Sequence, residues 1–163
     1  MAKWKSGRVD RMRVKGSNDP YRLTEKLPGG ATCQGCGSTV KEGRWTWVDS
    51  VKEGKEAVNA TCPACRRVED DYPAGFLVLE GQFFGENREE IMNLIRNVAE
   101  DEKEKHPMER IMAIRRDGDT TLITTTGIHI ARRLGDSLKK SYRGDLKVNY
   151  EEGEKRIRVS WYR

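Results

Sequence analysis

The chain has 163 residues, of which 36% are hydrophobic and 35% are charged, and its mean hydropathy is −0.82. This composition favours one or two small domains and disfavours a single large dry core. No stretch approaches the roughly 20 apolar residues that span a bilayer, and the opening residues do not resemble a signal peptide. We therefore expect a cytoplasmic protein that has no membrane partner.

The positive charge of the chain is concentrated near its N-terminus. The net charge is +5, and residues 1–28 carry eight Lys or Arg against three Asp or Glu, so the remainder is formally neutral. Residues 1–30 lack a sustained period and are predicted to form a disordered arm. Basic arms commonly bind polyanions, although such a segment can also be only a solubilising tail. The arm residues expected to contact nucleic acid are Lys3, Lys5, Arg8, Arg11, Arg13 and Lys15.

Four cysteines form two Cys-x-x-Cys pairs: Cys33, Cys36, Cys62 and Cys65. Each pair can present two thiolates to one tetrahedral ion, and four sulfurs leave no open position for water. The spacing therefore predicts one structural Zn²⁺ per chain, with an iron–sulfur cluster or a redox pair as alternatives.

Residues 31–71 are predicted to form a zinc ribbon around this site. Gly43–Val48 alternates as a strand does, Lys52–Lys55 is predicted to be a turn, and residues 57–61 would form the returning strand. Trp45 and Trp47 share one face of the first of these strands, where they either pack on a neighbouring domain or form an exposed stacking platform.

Residues 72–163 are predicted to form an α+β domain of order β-α-β-β-α-β-β. The periodicity predicts strands over 76–79, 110–115, 120–125, 146–150 and 157–161, and helices over 88–105 and 127–142. The Asp117-Gly118 pair favours a hairpin between the second and third strands. The expected packing is a ferredoxin-like split β-α-β sandwich with one extra edge strand.

The second predicted helix is amphipathic on a helical wheel. Its apolar residues fall in one sector: Ile130, Ala131, Leu134, Leu138 and Tyr142. Its cations fall on the opposite side: Arg132, Arg133, Lys139, Lys140 and Arg143. This face is either a phosphate-contacting surface or simply solvated. A threonine among Thr124–Thr126 is predicted to cap the helix N-terminus.

The last predicted strand places Arg156, Arg158 and Tyr162 on the face opposite its apolar residues. A cationic sheet face that carries tyrosine is typical of small α+β modules that bind RNA, and it is also typical of any solvent-facing antiparallel sheet. No histidine, carboxylate or glycine-loop arrangement points to catalysis. We expect a protein that is not an enzyme and has no small-molecule substrate.

Several segments resemble one protein family. They are Cys62–Arg67, Asp71-Tyr72, Phe76–Leu79, Thr124-Thr125 before Ile130–Leu134, and Ile157–Trp161. These segments resemble the nonsense-mediated-decay-three (NMD-three) family of zinc proteins, which bind the large ribosomal subunit. Four further segments are similar to its short bacterial relatives: Asp19–Tyr21, Lys26–Pro28, Gly43–Trp45 and Glu90–Asn97. The larger family carries more cysteines and a second metal site, whereas this chain has one quartet.

The resemblance implies a partner: the large ribosomal subunit and its ribosomal RNA. Together with the basic arm and the cysteine quartet, it predicts a monomeric ribosome-binding factor acting in assembly, hibernation or quality control. Two alternatives stay open. One is a protein–protein adaptor that uses the acidic Glu100–Glu104 run and the two tryptophans, and the other is a DNA-binding regulator.

Overall fold

A computed structural model describes residues 20–21, 30–47, 58–151, 153 and 155–163. The chain is α+β: a small sheet that holds the four cysteines is followed by a larger mixed sheet with helices. Within these described ranges, no helix combines the length and the apolar character needed to cross a bilayer.

The first sheet has four short strands in the order β3-β2-β1-β4. Its elements are β1 (Thr32–Cys33), β2 (Thr39–Lys41), β3 (Arg44–Thr46) and β4 (Asn59–Ala60), followed by helix α1 (Pro63–Glu69).

The hairpin in this sheet differs from the predicted one. Strand β3 pairs with β2 and not with the returning strand, and β4 instead lies parallel to β1. The two residues that join β2 to β3, Glu42 and Gly43, have φ values of 50° and 76°, which match the tight turns that connect antiparallel strands. The turn predicted at Lys52–Lys55 lies outside the described residues.

The second sheet and its helices follow the predicted order, with one short helix in addition. The elements are β5 (Gly75–Glu80), α2 (Gln82–Glu86), α3 (Arg88–Lys105), β6 (Ile111–Asp117), β7 (Thr120–Thr125), α4 (Ile128–Tyr142), β8 (Asp145–Glu151) and β9 (Arg156–Tyr162).

The strand order in this sheet is β6-β7-β5-β9-β8. Strands β5 and β6 are both antiparallel to β7, which lies between them, so β5-α3-β6 is a split β-α-β unit. An extra edge strand is present, as expected: β8 forms the edge, and β9 lies inside the sheet, parallel to β5. Strand β9 takes the interior position because it buries more apolar side chains than β8 does. Ile157, Val159 and Trp161 are at most 1% exposed, whereas Leu146 and Val148 on β8 are only half-buried.

The predicted apolar sector of α4 is confirmed, since Ile130, Ala131, Leu134 and Leu138 are all buried against the sheet. Gly75 on β5 allows this close packing: a Cβ at this position would lie 2.6 Å from the Cβ of Ala131. The predicted acidic helix α3 packs beside α4 and contributes Ile91 and Ile95 to the same core.

Candidate metal centre

The first cysteine pair is held by a tight turn after β1. The Cys33 backbone N–H donates to the Ser38 carbonyl at 2.8 Å, and the Gly37 N–H donates to the Cys33 carbonyl at 2.9 Å. Gly37 has a φ of +78°, a conformation that favours glycine. At Gly35 a Cβ would lie 2.9 Å from Sγ of Cys65. The turn therefore presents both thiols of the first pair and lies directly against the second pair.

The second cysteine pair lies at the start of α1, a helix that the sequence analysis does not predict. Cys62 is the N-cap residue, and its Sγ accepts a hydrogen bond from the Cys65 backbone N–H at 3.4 Å. Pro63 occupies the first helical turn, where its fixed φ is favourable and its missing N–H has no consequence. This local geometry places both thiols of the pair on the side that faces β1.

The parallel pairing of β1 with β4 brings the two cysteine pairs together. The Cys62 backbone N–H donates to Sγ of Cys33 at 3.2 Å, and all four sulfurs lie within 4.8 Å of one another. Sγ of Cys36 is 3.7 Å from Sγ of Cys62. Four sulfurs at about 2.3 Å from zinc in a tetrahedron are about 3.8 Å apart. The cluster could therefore hold one metal ion, and its donor set fits zinc.

The thiols of this cluster have different proton affinities. Burial disfavours the Cys36 thiolate, but hydrogen bonds from Ser38 and the charge of Arg110 outweigh it and lower the pKa of Cys36 to about 6. Burial raises the pKa of Cys62 and of Cys65. Deprotonation of the buried thiols is therefore the step that a bound metal ion would drive.

Arg110 and Met108, which precede β6, lie against the cluster. Nη2 of Arg110 donates to Sγ of Cys36 at 3.1 Å and to Sγ of Cys62 at 3.4 Å, and Nη1 donates to Sγ of Cys65 at 3.5 Å. The Met108 side chain packs against the same cluster. Neither residue belongs to a metal-binding sequence motif, so sequence reasoning missed both.

No protein-family model, no curated protein and no solved structure matches this chain at a significant level. The resemblance to the NMD-three family therefore stays an expectation from the sequence.

The two tryptophans lie where the cysteine cluster meets the larger sheet. Trp45 is half-buried against the cluster. Nε1 of Trp47 donates to the Lys103 carbonyl at 2.7 Å, at the C-terminal end of α3. Trp47 is still 36% exposed, and the Arg110 guanidinium lies 5.8 Å from its ring centroid. These contacts favour the packing interpretation of the pair over an open stacking platform.

The predicted cationic face of α4 divides into two parts. In its first half, Nε of Arg132 pairs with Asp136 at 3.1 Å, and Nε of Arg133 pairs with Glu102 of α3 at 2.9 Å. In its second half, three cations are exposed and make no side-chain hydrogen bond or ion pair with any described residue: Lys139, Lys140 and Arg143. The charge that faces solvent is therefore concentrated in the last part of the helix.

The predicted cationic sheet face is balanced by acids. Nε of Arg158 donates to Glu151 at 2.6 Å, and Arg156 lies 3.9 Å from the same carboxylate. Tyr162 is exposed, but its register neighbours on the adjacent strands are Glu80 and Asp145. This face therefore lacks the positive excess that the sequence of β9 alone predicts.

The six arm cations predicted to bind nucleic acid lie outside the described residues: Lys3, Lys5, Arg8, Arg11, Arg13 and Lys15. Tyr21 is described, and it is packed on the cysteine-bearing part of the chain. Its hydroxyl donates to Asp70 at 2.7 Å, and the Arg67 guanidinium lies 4.5 Å from its ring centroid. Tyr21 belongs to the Asp19–Tyr21 segment noted in the sequence analysis, but no local sequence pattern indicates the residues against which it packs.

The predicted threonine cap of α4 is wrong. The N-cap residue is Gly127, and the hydroxyl of Thr125 donates to the Gly127 carbonyl at 2.8 Å. Glu109 takes the capping role from a distant position, because its Oε2 accepts the Ile130 N–H at 3.0 Å. Burial raises the pKa of Glu109, and this carboxyl lines a pocket of about 310 Å³ together with Arg67.

Proposed function

We propose that this protein is a non-catalytic zinc protein that binds ribosomal RNA on the large ribosomal subunit. The observation that carries the proposal is the exposed cationic end of α4. Lys139, Lys140 and Arg143 face solvent while the opposite side of the helix is buried in the core. Cations at a helix C-terminus also complement the helix dipole, but their charged groups stay available to phosphates.

The zinc ion has a structural role in this proposal. Among the described residues, the buried apolar side chains of the small sheet and the start of α1 are few and small: Ala31, Cys33, Val40, Cys62 and Ala64. Such a core is too small to stabilise a separate module, and a closed tetrathiolate site supplies the missing free energy. The small sheet and α1 would then form a zinc ribbon. The way in which this ribbon packs on the α+β part would set the orientation of the protein on RNA.

The ribosome is favoured as the RNA-bearing partner for two reasons. The net positive charge of the chain lies entirely in residues 1–28, and a basic arm next to a folded domain suits a particle rich in phosphates. The resemblance to the NMD-three family indicates the large subunit. Assembly, hibernation and quality control are all roles that such a factor could fill.

Two features weigh against the adaptor alternative. In the acidic run of α3, Asp101 pairs with Lys105 at 2.8 Å, and Glu102 pairs with Arg133 of α4. Much of this acidic charge is therefore neutralised within the protein. The indole N–H of Trp47 is likewise engaged with a backbone carbonyl of α3.

The test neutralises the exposed end of α4 by the double substitution Lys139→Gln with Lys140→Gln. Hydrogen bonds to charged groups contribute about 1.5–3 kcal/mol each, and 1.4 kcal/mol is a factor of ten. We expect co-sedimentation with large subunits on sucrose gradients to weaken by more than about tenfold.

The matched control removes two exposed cations from the β6 strand, Arg115→Gln with Arg116→Gln, and it changes the net charge equally. Both double variants should keep their stability within about 0.5 kcal/mol per site. Equal binding by the wild type and the α4 variant would contradict the proposed contact. Equal weakening in both variants would show that only total charge matters.

A further inference from the structure

The guanidinium of Arg110 lies against three of the four candidate metal ligands. Its two terminal nitrogens are 3.1–3.5 Å from the sulfurs of Cys36, Cys62 and Cys65. Arginine has five N–H donors and no lone pair that could bind a metal, so it can contact sulfurs only from outside the coordination shell.

The Arg110 side chain is fixed in place before any metal is considered. Its Nε donates to the Pro107 carbonyl at 2.6 Å, and its backbone N–H donates to the Thr126 hydroxyl at 2.9 Å. That hydroxyl in turn donates to the Met108 carbonyl at 2.7 Å, and Thr126 is 5% exposed. The α+β part of the chain therefore fixes the guanidinium of Arg110 so that its N–H groups point toward the cysteine sulfurs.

The charge of a tetrathiolate centre explains what this contact would do. One Zn²⁺ with four thiolates carries a charge of −2, and a partly buried charge of this size needs compensation. Three N–H···S hydrogen bonds from one cation reduce the net charge to −1 and occupy sulfur lone pairs that a proton would otherwise take. Outer-shell partners of this kind typically change metal affinity 10–100-fold.

We propose that Arg110 is the outer-shell positioning residue of the metal centre, and that it makes zinc retention depend on the contact between the small sheet and the α+β part. This inference rests on the proposed zinc site. Arg110 directly precedes β6, whereas all four ligands lie earlier in the chain, between the end of β1 and the first turn of α1. Zinc is therefore held tightly only while the two parts are in contact.

The test compares Arg110→Gln and Arg110→Lys with wild type, using Arg116→Gln as the control. Arg116 is an exposed arginine of the same strand region, and its Nε donates to the Gly118 carbonyl, far from the cysteines. Zinc content of the purified full chain is measured first. Zinc release is then followed with an excess of a chromophoric chelator, and the sulfur-to-cobalt charge-transfer bands are recorded after cobalt substitution.

We expect Arg110→Gln to release zinc about 10–100 times faster than wild type, and to shift the cobalt bands because the sulfurs lose their hydrogen bonds. Arg110→Lys should fall between the two, because it keeps the charge but cannot span three sulfurs. The control should match wild type. Release at the wild-type rate from Arg110→Gln would overturn the inference and leave the zinc site intact, whereas a wild type without zinc would overturn both.

A measurement on the wild type covers the case in which a variant does not fold. Zinc loading should shift the side-chain N–H resonances of Arg110 and slow their exchange with solvent, because the sulfurs that accept these hydrogen bonds all become thiolates, which are stronger acceptors. Unshifted, rapidly exchanging protons in the zinc-loaded protein would equally overturn the inference.

Discussion

Arg133 links the two long helices of the larger sheet. Its Nε lies 2.9 Å from Glu102, whose side chain is 9% exposed, and its Nη2 lies 3.6 Å from Asp101. A helical wheel assigns Arg133 to the solvent face together with Arg132, yet only the packed structure reveals the acids across the helix pair. A residue with this role is a poor choice for a test of RNA binding, because its substitution would change the stability of the protein as well.

We predict that Arg133→Glu lowers the free energy of unfolding by about 1–3 kcal/mol, because it removes the arginine partner of the buried Glu102 carboxylate and adds repulsion. Arg132→Glu is the matched control: it disturbs an exposed i,i+4 pair with Asp136 and an interaction with Tyr150, and it should cost about 0.5 kcal/mol. Urea unfolding monitored by circular dichroism measures both values. Equal stabilities for the two variants would show that the bridge between the helices contributes nothing.

The metal ligands were predictable from the sequence, but the residues that surround them were not. Two Cys-x-x-Cys pairs identify all four ligands by spacing alone. Arg110 and Glu109 carry no such signal, because the cysteines that Arg110 contacts and the N–H that Glu109 accepts lie 21 to 74 positions away along the chain. Contacts of that range depend on how strands pair, and no local pattern encodes them.

Secondary-structure elements were predicted better than their arrangement. The bounds of α3 and β7 agree with the periodicity to the residue, and those of α4, β8 and β9 agree within one residue. The position of β9 inside the sheet could not be predicted from alternation, since edge and interior strands both alternate. The β2–β3 hairpin had a local signal in Glu42-Gly43, which the stronger alternation after Gly43 obscured.

The packing of α4 on β5 depends on the missing side chain of Gly75. We predict that Gly75→Ala destabilises the protein by about 1–3 kcal/mol, because its Cβ would overlap Ala131 and Thr125, and neither neighbour can move without disturbing the core. Thermal unfolding of the full chain measures the effect.

Gly85→Ala in α2 is the control for this substitution. A Cβ there meets no atom within 4 Å, and alanine is the better helix former, so we expect a gain of up to about 1 kcal/mol. A neutral Gly75→Ala variant would show that the contact between β5 and α4 can relax at little cost.

At the scale of the whole molecule, the positive charge excess lies in the first residues of the chain. Residues 1–18 contain six Lys or Arg and one Asp, so they carry an excess of five, and this equals the net charge of the entire chain. The rest of the chain is formally neutral. Non-specific attraction to RNA should therefore come from the arm, whereas the exposed end of α4 would supply a contact with defined geometry.

The packing of Tyr21 limits how much of the N-terminal segment can be deleted without loss of stability. It is 8% exposed, its hydroxyl donates to Asp70, and its ring lies against Arg67 and Tyr72. Deletion of residues 1–28 would remove Tyr21 and its contacts as well as the basic residues. A weaker binding to RNA could then come either from lost stability or from lost charge. Deletion of residues 1–18 removes the whole charge excess and retains Tyr21.

We predict that deletion of residues 1–18 leaves the unfolding temperature unchanged and reduces the salt dependence of RNA binding. Each lost contact with a single-stranded phosphate lowers the slope of log affinity against log salt by about 0.7, so six contacts would lower it by about 4. Binding of the full chain and the truncated chain to a ribosomal RNA fragment, titrated at several salt concentrations, gives both slopes. Trp4→Ala is the companion variant, because it keeps every charge of the arm and should leave the slope as it is. An identical slope with and without the arm would mean that these cations only keep the protein in solution, and the specific contact would then rest on α4 alone.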